Sequence, residues 1–117
     1  MAGNSQTSPI WTDVTQMGIG TWAWGDRLFW SHGQSHTDAD VRAAFEATLA
    51  GGVSFFDTAE FYGFGRSERL LGTFARTAGQ PIHIATKFVP YPWRPRRANL
   101  LAALRNSLAR LGLDQVD

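Results

Sequence analysis

The segment VSFFDTAEFYG, residues 53–63, decides the fold of this chain. Its first four residues are mostly apolar, as in a buried parallel strand. Polarity changes at Asp57, and Tyr62 follows five residues later beside a glycine. A carboxylate at the carboxyl end of a buried strand, with a phenol in the next loop, is typical of the catalytic edge of α/β enzymes. An Asp that caps a turn and a Tyr that only packs would give the same pattern, so both interpretations stay open at this point.

Strand and helix patterns alternate on both sides of this segment. Apolar runs predict strands at 16–21, 53–56 and 82–88, and 3.6-residue periodicity predicts helices at 38–50, from 67 to about 79, and at 99–111. Residues 113–117 are predicted to approach a fourth strand. Such alternation indicates a parallel sheet covered by helices.

The first predicted helix has an N-cap at Thr37 and ends at the Gly51–Gly52 pair. Each helix is predicted to bury one stripe of side chains. The predicted buried positions are Val41, Ala44, Phe45, Thr48 and Leu49 in the first helix, Leu70, Leu71, Phe74 and Ala75 in the second, and Leu100, Leu104, Leu108 and Leu111 in the third.

An open doubly wound sheet and a (β/α)8 TIM barrel both fit this α/β alternation. The first strand ends in Gly18-Ile-Gly-Thr21 and is followed by a long loop, so a G-x-G-x-x-G phosphate motif that opens a helix is absent. This favours the barrel, whose carboxyl-end loops are long. The chain would supply the first three βα units and the start of strand four. Residues 1–117 are therefore predicted to be the N-terminal part of one barrel domain, with the C-terminal half of the barrel missing.

Composition excludes several classes of protein. Eleven dispersed cations and a net charge of +1 argue against a nucleic-acid partner. The absence of cysteine excludes disulfides, thiol catalysis and cysteine-ligated metals, and no metal site is predicted. Met1–Pro9 has no secretory pattern, and no apolar run approaches the roughly 18 residues of a membrane helix. We therefore expect a soluble, cytoplasmic protein without a membrane partner.

Two loops carry an unusual number of aromatic residues. The loop at 22–36 is long enough to cover a pocket, although it could also be a lid that packs only on its own scaffold. A second, proline-rich loop occupies 89–95. An aromatic pocket for a flat carbonyl compound is predicted from Trp22, Trp24, Trp30, Tyr91 and Trp93.

Lys87 is the only lysine among eleven basic residues, which indicates a site that needs a compact ammonium. Strand alternation places His83, Ala85 and Lys87 on one face, with Lys87 directed inward at the carboxyl end. Asp57 would lie about 5 Å away on the adjacent strand. A purely structural ion pair remains an alternative for Asp57 and Lys87.

Tyr62 favours a chemical role for this pair. A free phenol has a pKa of about 10 and donates its proton reluctantly at neutral pH. A nearby ammonium stabilises phenolate, which makes a tyrosine a usable general acid. Asp57 would keep Lys87 charged and oriented, so the three side chains are predicted to form a proton-donating group.

These motifs resemble those of the aldo-keto reductase family. The matching segments are GIGTW at 18–22, FDTAEFYG at 56–63, SE at 67–68, LG at 71–72 and ATK at 85–87. The segment AWGDRLFW at 23–30 is similar to a plant and cyanobacterial branch.

The resemblance implies a (β/α)8 barrel that reduces aldehydes and ketones with NADP(H), or alternatively NAD(H), and a small-molecule carbonyl substrate. It implies that Tyr62 is the general acid, that Lys87 tunes it and that Asp57 supports Lys87. Cofactor contacts are expected at Gly20, Thr21, Trp22 and Asp57, and substrate contacts at Trp22, Tyr62 and Trp93.

The family's fourth catalytic residue is a histidine at the end of strand four, which these residues do not include. His32 and His36 fall in the first loop, and His83 is predicted to be an interior histidine. The 117 residues alone are therefore expected to be inactive. A non-catalytic nicotinamide-binding regulatory subunit on the same fold, and a Schiff-base lyase that uses Lys87, are the alternatives.

Overall fold

The computed structural model describes residues 17–117, so Met1–Pro9 and the predicted strand start at Gln16 lie outside the described residues. The elements are β1 (Gly18–Gly20), α1 (Asp38–Ala50), β2 (Phe55–Asp57), a 3-10 helix (Tyr62–Gly65), α2 (Arg66–Ala75), β3 (His83–Ala85) and α3 (Arg97–Leu111). No helix in this part of the chain has the length and apolar character needed to cross a membrane.

The three strands form a parallel sheet in the order β1-β2-β3, as the β/α alternation predicts. The central row of the sheet is Ile19, Phe56 and Ile84, and the rows on either side are Gly18, Phe55 and His83, and Gly20, Asp57 and Ala85. Phe56 and Ile84 are buried and belong to the core under the helices. Because side chains alternate along a strand, the other two rows face the opposite side of the sheet.

Aromatic rings fill the space between the sheet and the helices. Phe45 of α1 lies 5.0 Å from Phe56 and 5.5 Å from Phe74, measured between ring centroids. Trp24 is buried against all three of these rings. Trp24 therefore belongs to the core under the helices, and its ring contacts are with core residues rather than with Tyr62.

The start of α1 agrees with the sequence pattern. Thr37 caps it, and the Asp40 carboxylate accepts the Thr37 N–H at 2.8 Å to complete a capping box. Val41 and Phe45 are the buried residues of the helix, whereas Ala44 is exposed. The prediction that Ala44 is buried is therefore wrong.

The predicted leucine stripe of α3 is wrong in part. Leu111 is buried, but Leu100 and Leu104 are 45% and 40% exposed. The buried face of α3 consists of Ala103, Ser107 and Leu111. Small residues allow α3 to approach α2 closely, and a Cβ at Gly72 of α2 would collide with the main-chain carbonyl of Leu111.

The strands are shorter than predicted, and this changes where the polar residues lie. Asp57 is the last residue of β2 rather than the first residue of a loop, and Lys87 lies two residues beyond β3. Helix α2 ends at Ala75, before Gly79. Asp117 donates its N–H to Ile84 O at 3.0 Å, and its carboxylate accepts the Ile84 N–H at 2.8 Å, so the chain pairs with β3 where a fourth strand was predicted.

Candidate active site

Three polar side chains meet at the carboxyl edge of the sheet, as the sequence predicts. Asp57 ends β2, Tyr62 begins the 3-10 helix and Lys87 follows β3. Lys87 Nζ lies 2.7 Å from Asp57 Oδ2 and 3.4 Å from Tyr62 Oη. The parallel register explains this convergence, because Asp57 pairs with Ala85, two residues before the lysine.

The ammonium of Lys87 uses all three of its donors. They go to Asp57 Oδ2, to the Thr58 carbonyl at 3.0 Å and to Tyr62 Oη. A phenolic oxygen that accepts a hydrogen bond from an ammonium must direct its own O–H elsewhere. The proton of Tyr62 is therefore free to be donated to a group outside this triad.

The environment of Lys87 favours its charged form. Partial burial alone would lower the pKa of Lys87, but hydrogen bonds to Asp57 and Tyr62 and the charge of Asp57 outweigh burial and raise it above its ordinary value. The pair is half open to solvent, with 49% of the lysine and 37% of the aspartate side chain exposed. A lysine that forms a Schiff base needs the opposite shift, towards the neutral amine.

A buried hydroxyl network supports the site from below. Ser67 Oγ lies 2.7 Å from Thr21 Oγ1 and 3.0 Å from Thr58 Oγ1, and it donates to the Thr21 carbonyl at 2.9 Å. The Thr21 N–H in turn donates to Asp57 O at 2.9 Å. All three hydroxyl-bearing residues are buried. The structure thus places Thr21, a predicted cofactor contact, beneath the site with its hydroxyl already engaged.

The turn after Tyr62 has a left-handed backbone, with φ of 57° at Gly63 and 54° at Phe64. A Cβ at Gly63 would lie 2.7 Å from the carbonyl oxygen of Gly25. The close approach therefore requires glycine at position 63, where the positive φ angle is also one that glycine adopts without strain. This contact seats the tyrosine-bearing turn against the aromatic loop.

Trp22 is the residue of the aromatic loop whose ring contacts Tyr62. Its ring stacks on Tyr62 with centroids 5.9 Å apart and planes 18° from parallel. Phe29 and Trp30 pack against the same indole at 6.0 Å and 5.9 Å. The aromatic loop therefore reaches the site through Trp22.

Asp26 organises this loop, and sequence reasoning missed it. Its buried carboxylate accepts Trp22 Nε1–H at 3.2 Å and the N–H groups of Leu28 and Phe29 at 2.9 Å and 2.8 Å. The two main-chain bonds are the turn that an Asp commonly forms with the residues after it, which is the signal that could have identified it. The third bond fixes the indole beside Tyr62.

Two other predicted contacts have different surroundings. A Cβ at Gly20 would meet nothing within 4 Å, so the space beside Asp57 in the same row of the sheet is open. Trp93 is 72% exposed and stacks on Tyr91 with centroids 4.7 Å apart. No hydrogen bond or ring contact joins Trp93 to Tyr62 within residues 17–117, so the structure does not bring Trp93 to the triad.

The histidines lie apart from the triad. His32 Nδ1 accepts the Gly25 N–H at 3.1 Å and its Nε2 lies 2.6 Å from Asp38, which anchors the aromatic loop to α1. His36 donates from Nε2 to the Ala23 carbonyl at 2.8 Å. His83 is partly buried, and its Nδ1 lies 3.5 Å from Asp117 Oδ1 without forming a hydrogen bond within the described residues.

Polar side chains at the carboxyl edge of a parallel β/α sheet occupy the position at which α/β barrels place their active sites. Residues 16–117 match the model of the Aldo/keto reductase family, and the chain belongs to this family. The family prediction made from the motifs is thereby confirmed.

Curated relatives share the matched region. The chain is 43% identical over 113 residues to chloroplastic pyridoxal reductase of Arabidopsis thaliana, an alignment that covers 88% of this chain and 31% of the relative. It is 34% identical over 106 residues to an uncharacterized oxidoreductase of Mycobacterium tuberculosis, covering 88% and 32%. The chain spans about a third of the length of these relatives. Because the Arabidopsis relative is named chloroplastic, the cytoplasmic location expected here stays a prediction.

Solved structures agree on the fold. An aldo-keto reductase of Klebsiella pneumoniae in complex with NADPH superposes with a TM-score of 0.72 at 32% identity, covering 89% of this chain and 34% of that one. The glycerol dehydrogenase of Gluconobacter oxydans gives 0.69 at 29% identity, with the same coverage. The predicted fold class is confirmed: the chain forms the first three βα units of a (β/α)8 barrel and the approach to strand four.

Proposed function

We propose that this chain carries the proton-donating part of a carbonyl reductase, in which Tyr62 is the general acid for reduction of an aldehyde or ketone. The observation that carries the proposal is the hydrogen bond from Lys87 Nζ to Tyr62 Oη at 3.4 Å, since it leaves the phenolic proton directed elsewhere. The raised pKa of Lys87 supports the same role.

In this mechanism a carbonyl oxygen lies within hydrogen-bond reach of Tyr62 Oη. As negative charge develops on that oxygen, Tyr62 donates its proton and the adjacent ammonium of Lys87 stabilises the phenolate that remains. Asp57 keeps the ammonium charged and in place through the 2.7 Å bond. Trp22, stacked on the tyrosine, would cover one face of the phenol ring.

The cofactor of the proposed reaction is NADP(H), with NAD(H) as a possible substitute, and it supplies the hydride that reduces the carbonyl carbon. Its nicotinamide would lie in the open space beside Gly20, in the same row of the sheet as Asp57. Trp22 is partly exposed at this edge and would border the ring. Thr21 would contribute through its position in the strand rather than through its hydroxyl, which is engaged with Ser67.

The proposed substrate is a small carbonyl compound that fits against aromatic walls. Trp22, Phe29 and Trp30 form a contiguous aromatic surface beside Tyr62. The name of the Arabidopsis relative supports an aromatic aldehyde. A contact from Trp93 remains part of the proposal and requires the 89–95 loop to approach Tyr62 when substrate binds.

Turnover is proposed to require a complete barrel. A (β/α)8 barrel has about 250 residues, and three βα units leave the sheet open along its edges. The 117 residues alone are therefore expected not to consume NADPH. The kinetic experiments therefore use the complete barrel, in which these residues are joined to the remaining βα units.

The decisive experiment replaces Tyr62 with Phe in the complete barrel. The Phe variant keeps the ring that stacks on Trp22 but lacks the proton, so NADPH-dependent reduction of an aldehyde should fall by about 10²–10⁴-fold. NADPH binding, followed by tryptophan fluorescence, should persist. Substantial turnover by the Phe variant would refute the role of Tyr62.

The alternative of a regulatory subunit has some support, because a probable voltage-gated potassium channel subunit beta of Oryza sativa is 30% identical over 112 residues. We favour the enzyme, since the Arabidopsis and Mycobacterium tuberculosis relatives, named as a reductase and an oxidoreductase, are more similar to this chain. Co-purification of a membrane partner together with absence of turnover would favour the subunit.

A further inference from the structure

Glu60 and Arg94 lie outside the triad but join the two loops that carry it. Glu60 belongs to the segment between Asp57 and Tyr62, and Arg94 belongs to the segment between Lys87 and α3. We propose that the Glu60–Arg94 pair is a clamp that fixes the separation of the catalytic lysine and tyrosine, which makes both members positioning residues. This inference rests on the function proposed above.

The clamp consists of side-chain and main-chain bonds. Arg94 donates from Nη1 to Glu60 Oε1 at 2.6 Å and from Nη2 to Oε2 at 3.2 Å. The Val89 N–H donates to Glu60 Oε1 at 2.7 Å, and Arg94 Nη1 donates to the Val89 carbonyl at 3.1 Å. The Glu60 N–H donates to the Lys87 carbonyl at 3.2 Å. The two loops are therefore tied together within two residues of both Lys87 and Tyr62.

The pair is shielded well enough to hold its geometry. Only 12% of the Glu60 and 20% of the Arg94 side chain is exposed, and the guanidinium lies 4.4 Å from the centre of the Phe88 ring. Burial alone would raise the pKa of Glu60, but the bonds and charge of Arg94 and the Val89 N–H outweigh burial and lower it. A planar bidentate pair fixes direction as well as distance, unlike a single point contact.

The contact that the clamp protects has little tolerance. Lys87 Nζ to Tyr62 Oη is the longest of the three ammonium bonds at 3.4 Å. This already exceeds the usual range of about 2.7–3.2 Å, and a separation of about 3.6 Å is no longer a hydrogen bond. The two atoms belong to different loops, so a displacement of either loop lengthens it directly. Asp57, at 2.7 Å, would retain the lysine while the tyrosine loses it.

Arg94 also neutralises the charge of the Glu60 carboxylate, with which it forms an ion pair. Only 12% of the Glu60 side chain is exposed, so without Arg94 its carboxylate would be a largely buried, unpaired charge, and the loop would have to move to solvate it. Removal of Arg94 alone should therefore be more damaging than removal of the charges of both partners. A clamp that acted only as a spacer would give the opposite order.

The test compares Arg94→Met, Glu60→Gln and the double variant in the complete barrel. For Arg94→Met we expect kcat to fall by about tenfold or more with the KM for NADPH little changed, since misplacement of a catalytic group by 1 Å can cost about 10²-fold. Glu60→Gln should lose less, and the double variant should recover activity relative to Arg94→Met. Arg94→Lys, which keeps the charge but not the planar fork, should fall between wild type and Arg94→Met.

A matched control and a readout independent of turnover complete the design. Glu46→Gln removes a carboxylate from the exposed Arg42–Glu46 pair of α1 and should leave kcat unchanged. The ¹⁵Nζ resonance of Lys87, assigned by its disappearance in Lys87→Arg, reports the ammonium's surroundings directly. It should shift in Arg94→Met, return towards wild type in the double variant and stay in place in Glu46→Gln.

A drop in kcat with a shifted Lys87 resonance in Arg94→Met, both restored in the double variant, supports the clamp. Wild-type kcat and an unshifted resonance in Arg94→Met overturn it, and so does a double variant as impaired as Arg94→Met. If thermal melting shows Arg94→Met to be unfolded, wild-type values in both Arg94→Lys and Glu60→Gln overturn it. Failure of the proposed function is distinguishable, because it appears as turnover by Tyr62→Phe, which leaves the resonance test intact.

Discussion

The structure contains two carboxylate–cation pairs on opposite sides of the sheet, Glu68–Arg110 and Asp57–Lys87. The neighbouring residues Thr86 and Lys87 connect the segment after β3 to one pair each. Thr86 donates its hydroxyl to Glu68 Oε1 at 2.6 Å, and Glu68 also pairs with Arg110 of α3. Lys87, the next residue, pairs with Asp57 on the other side. Glu68 is fully buried and its partner is 19% exposed, whereas the lysine and aspartate are 49% and 37% exposed.

The two pairs differ in burial and in the bonds that their members leave unused. Glu68 is fully buried with a partner for each oxygen inside the helix layer, so it is not accessible to a ligand. Lys87 bonds to a phenol that still has a proton to give, at an edge open to solvent. Burial with full pairing is what a stabilising role for Glu68 requires, and partial exposure with a shared donor is what the proposed catalytic role of Lys87 requires.

The largest effect on stability is expected for Glu68→Ala. Loss of one partner of a buried ion pair leaves the other charge uncompensated and costs about 3–5 kcal/mol of unfolding free energy. Urea unfolding of the protein measures this cost directly. The matched variant at the open edge, Asp57→Ala, should cost far less; equal losses from the two variants would remove the distinction between the pairs.

The second prediction contrasts Gly72, in the helix layer, with Gly20, on the side of the sheet that carries Asp57. A Cβ at Gly72 would collide with the main chain of Leu111, so Gly72→Ala should destabilise the α2–α3 contact by about 1–3 kcal/mol. Gly20→Ala adds its methyl group to open space and should change stability by less than about 0.5 kcal/mol. Gly20→Ala should instead weaken NADPH binding, followed by tryptophan fluorescence. Unchanged NADPH binding would count against Gly20 as a cofactor contact.

The third prediction concerns the shape of the cation at the open edge. Lys87→Arg keeps the charge, but a planar guanidinium cannot occupy the ammonium's position between Asp57 and Tyr62. We expect kcat in the complete barrel to fall by more than about tenfold, equivalent to about 1.4 kcal/mol in the barrier. Stability should stay near wild type. Retention of more than about a tenth of wild-type kcat would show that charge alone is sufficient.

Local patterns predicted the parts of the molecule that depend on strand periodicity. The β/α order follows from the alternation of apolar runs and capped helices, and the meeting of Asp57 with Lys87 follows from the parallel register. Tyr62 could be placed at the same edge because it follows the strand by only five residues. Such short-range and register-bound relations are encoded within a few residues of sequence.

Other features depend on tertiary packing between distant segments and could not be predicted from local sequence patterns. Trp24 and Trp22 are two residues apart in one aromatic loop, yet one packs in the core and the other beside Tyr62. Leu100 and Leu104 match a buried stripe, but the close contact with Gly72 turns a different face of α3 inward. A bidentate pair between distant loops, such as that of Glu60, has no signature in local spacing.

The smallest effect is expected for the charge of the open pair, and it should depend on pH. Asp57→Asn removes one partner of a half-exposed ion pair, so the loss of stability near neutral pH should be under about 1 kcal/mol. The folded protein raises the pKa of Lys87, because the bonds and charge of Asp57 and Tyr62 outweigh burial. A raised lysine pKa contributes stability below the unfolded value, about 10.4, and this contribution is lost as pH rises through the folded value. The difference in unfolding free energy between wild type and Asp57→Asn, measured with urea, should therefore shrink between about pH 7 and about pH 11.

Glu68→Gln is the control, since its partner is an arginine and arginines stay protonated over this range. Its difference from wild type should stay constant, and a constant difference for Asp57→Asn as well would mean that the lysine charge contributes nothing to folding.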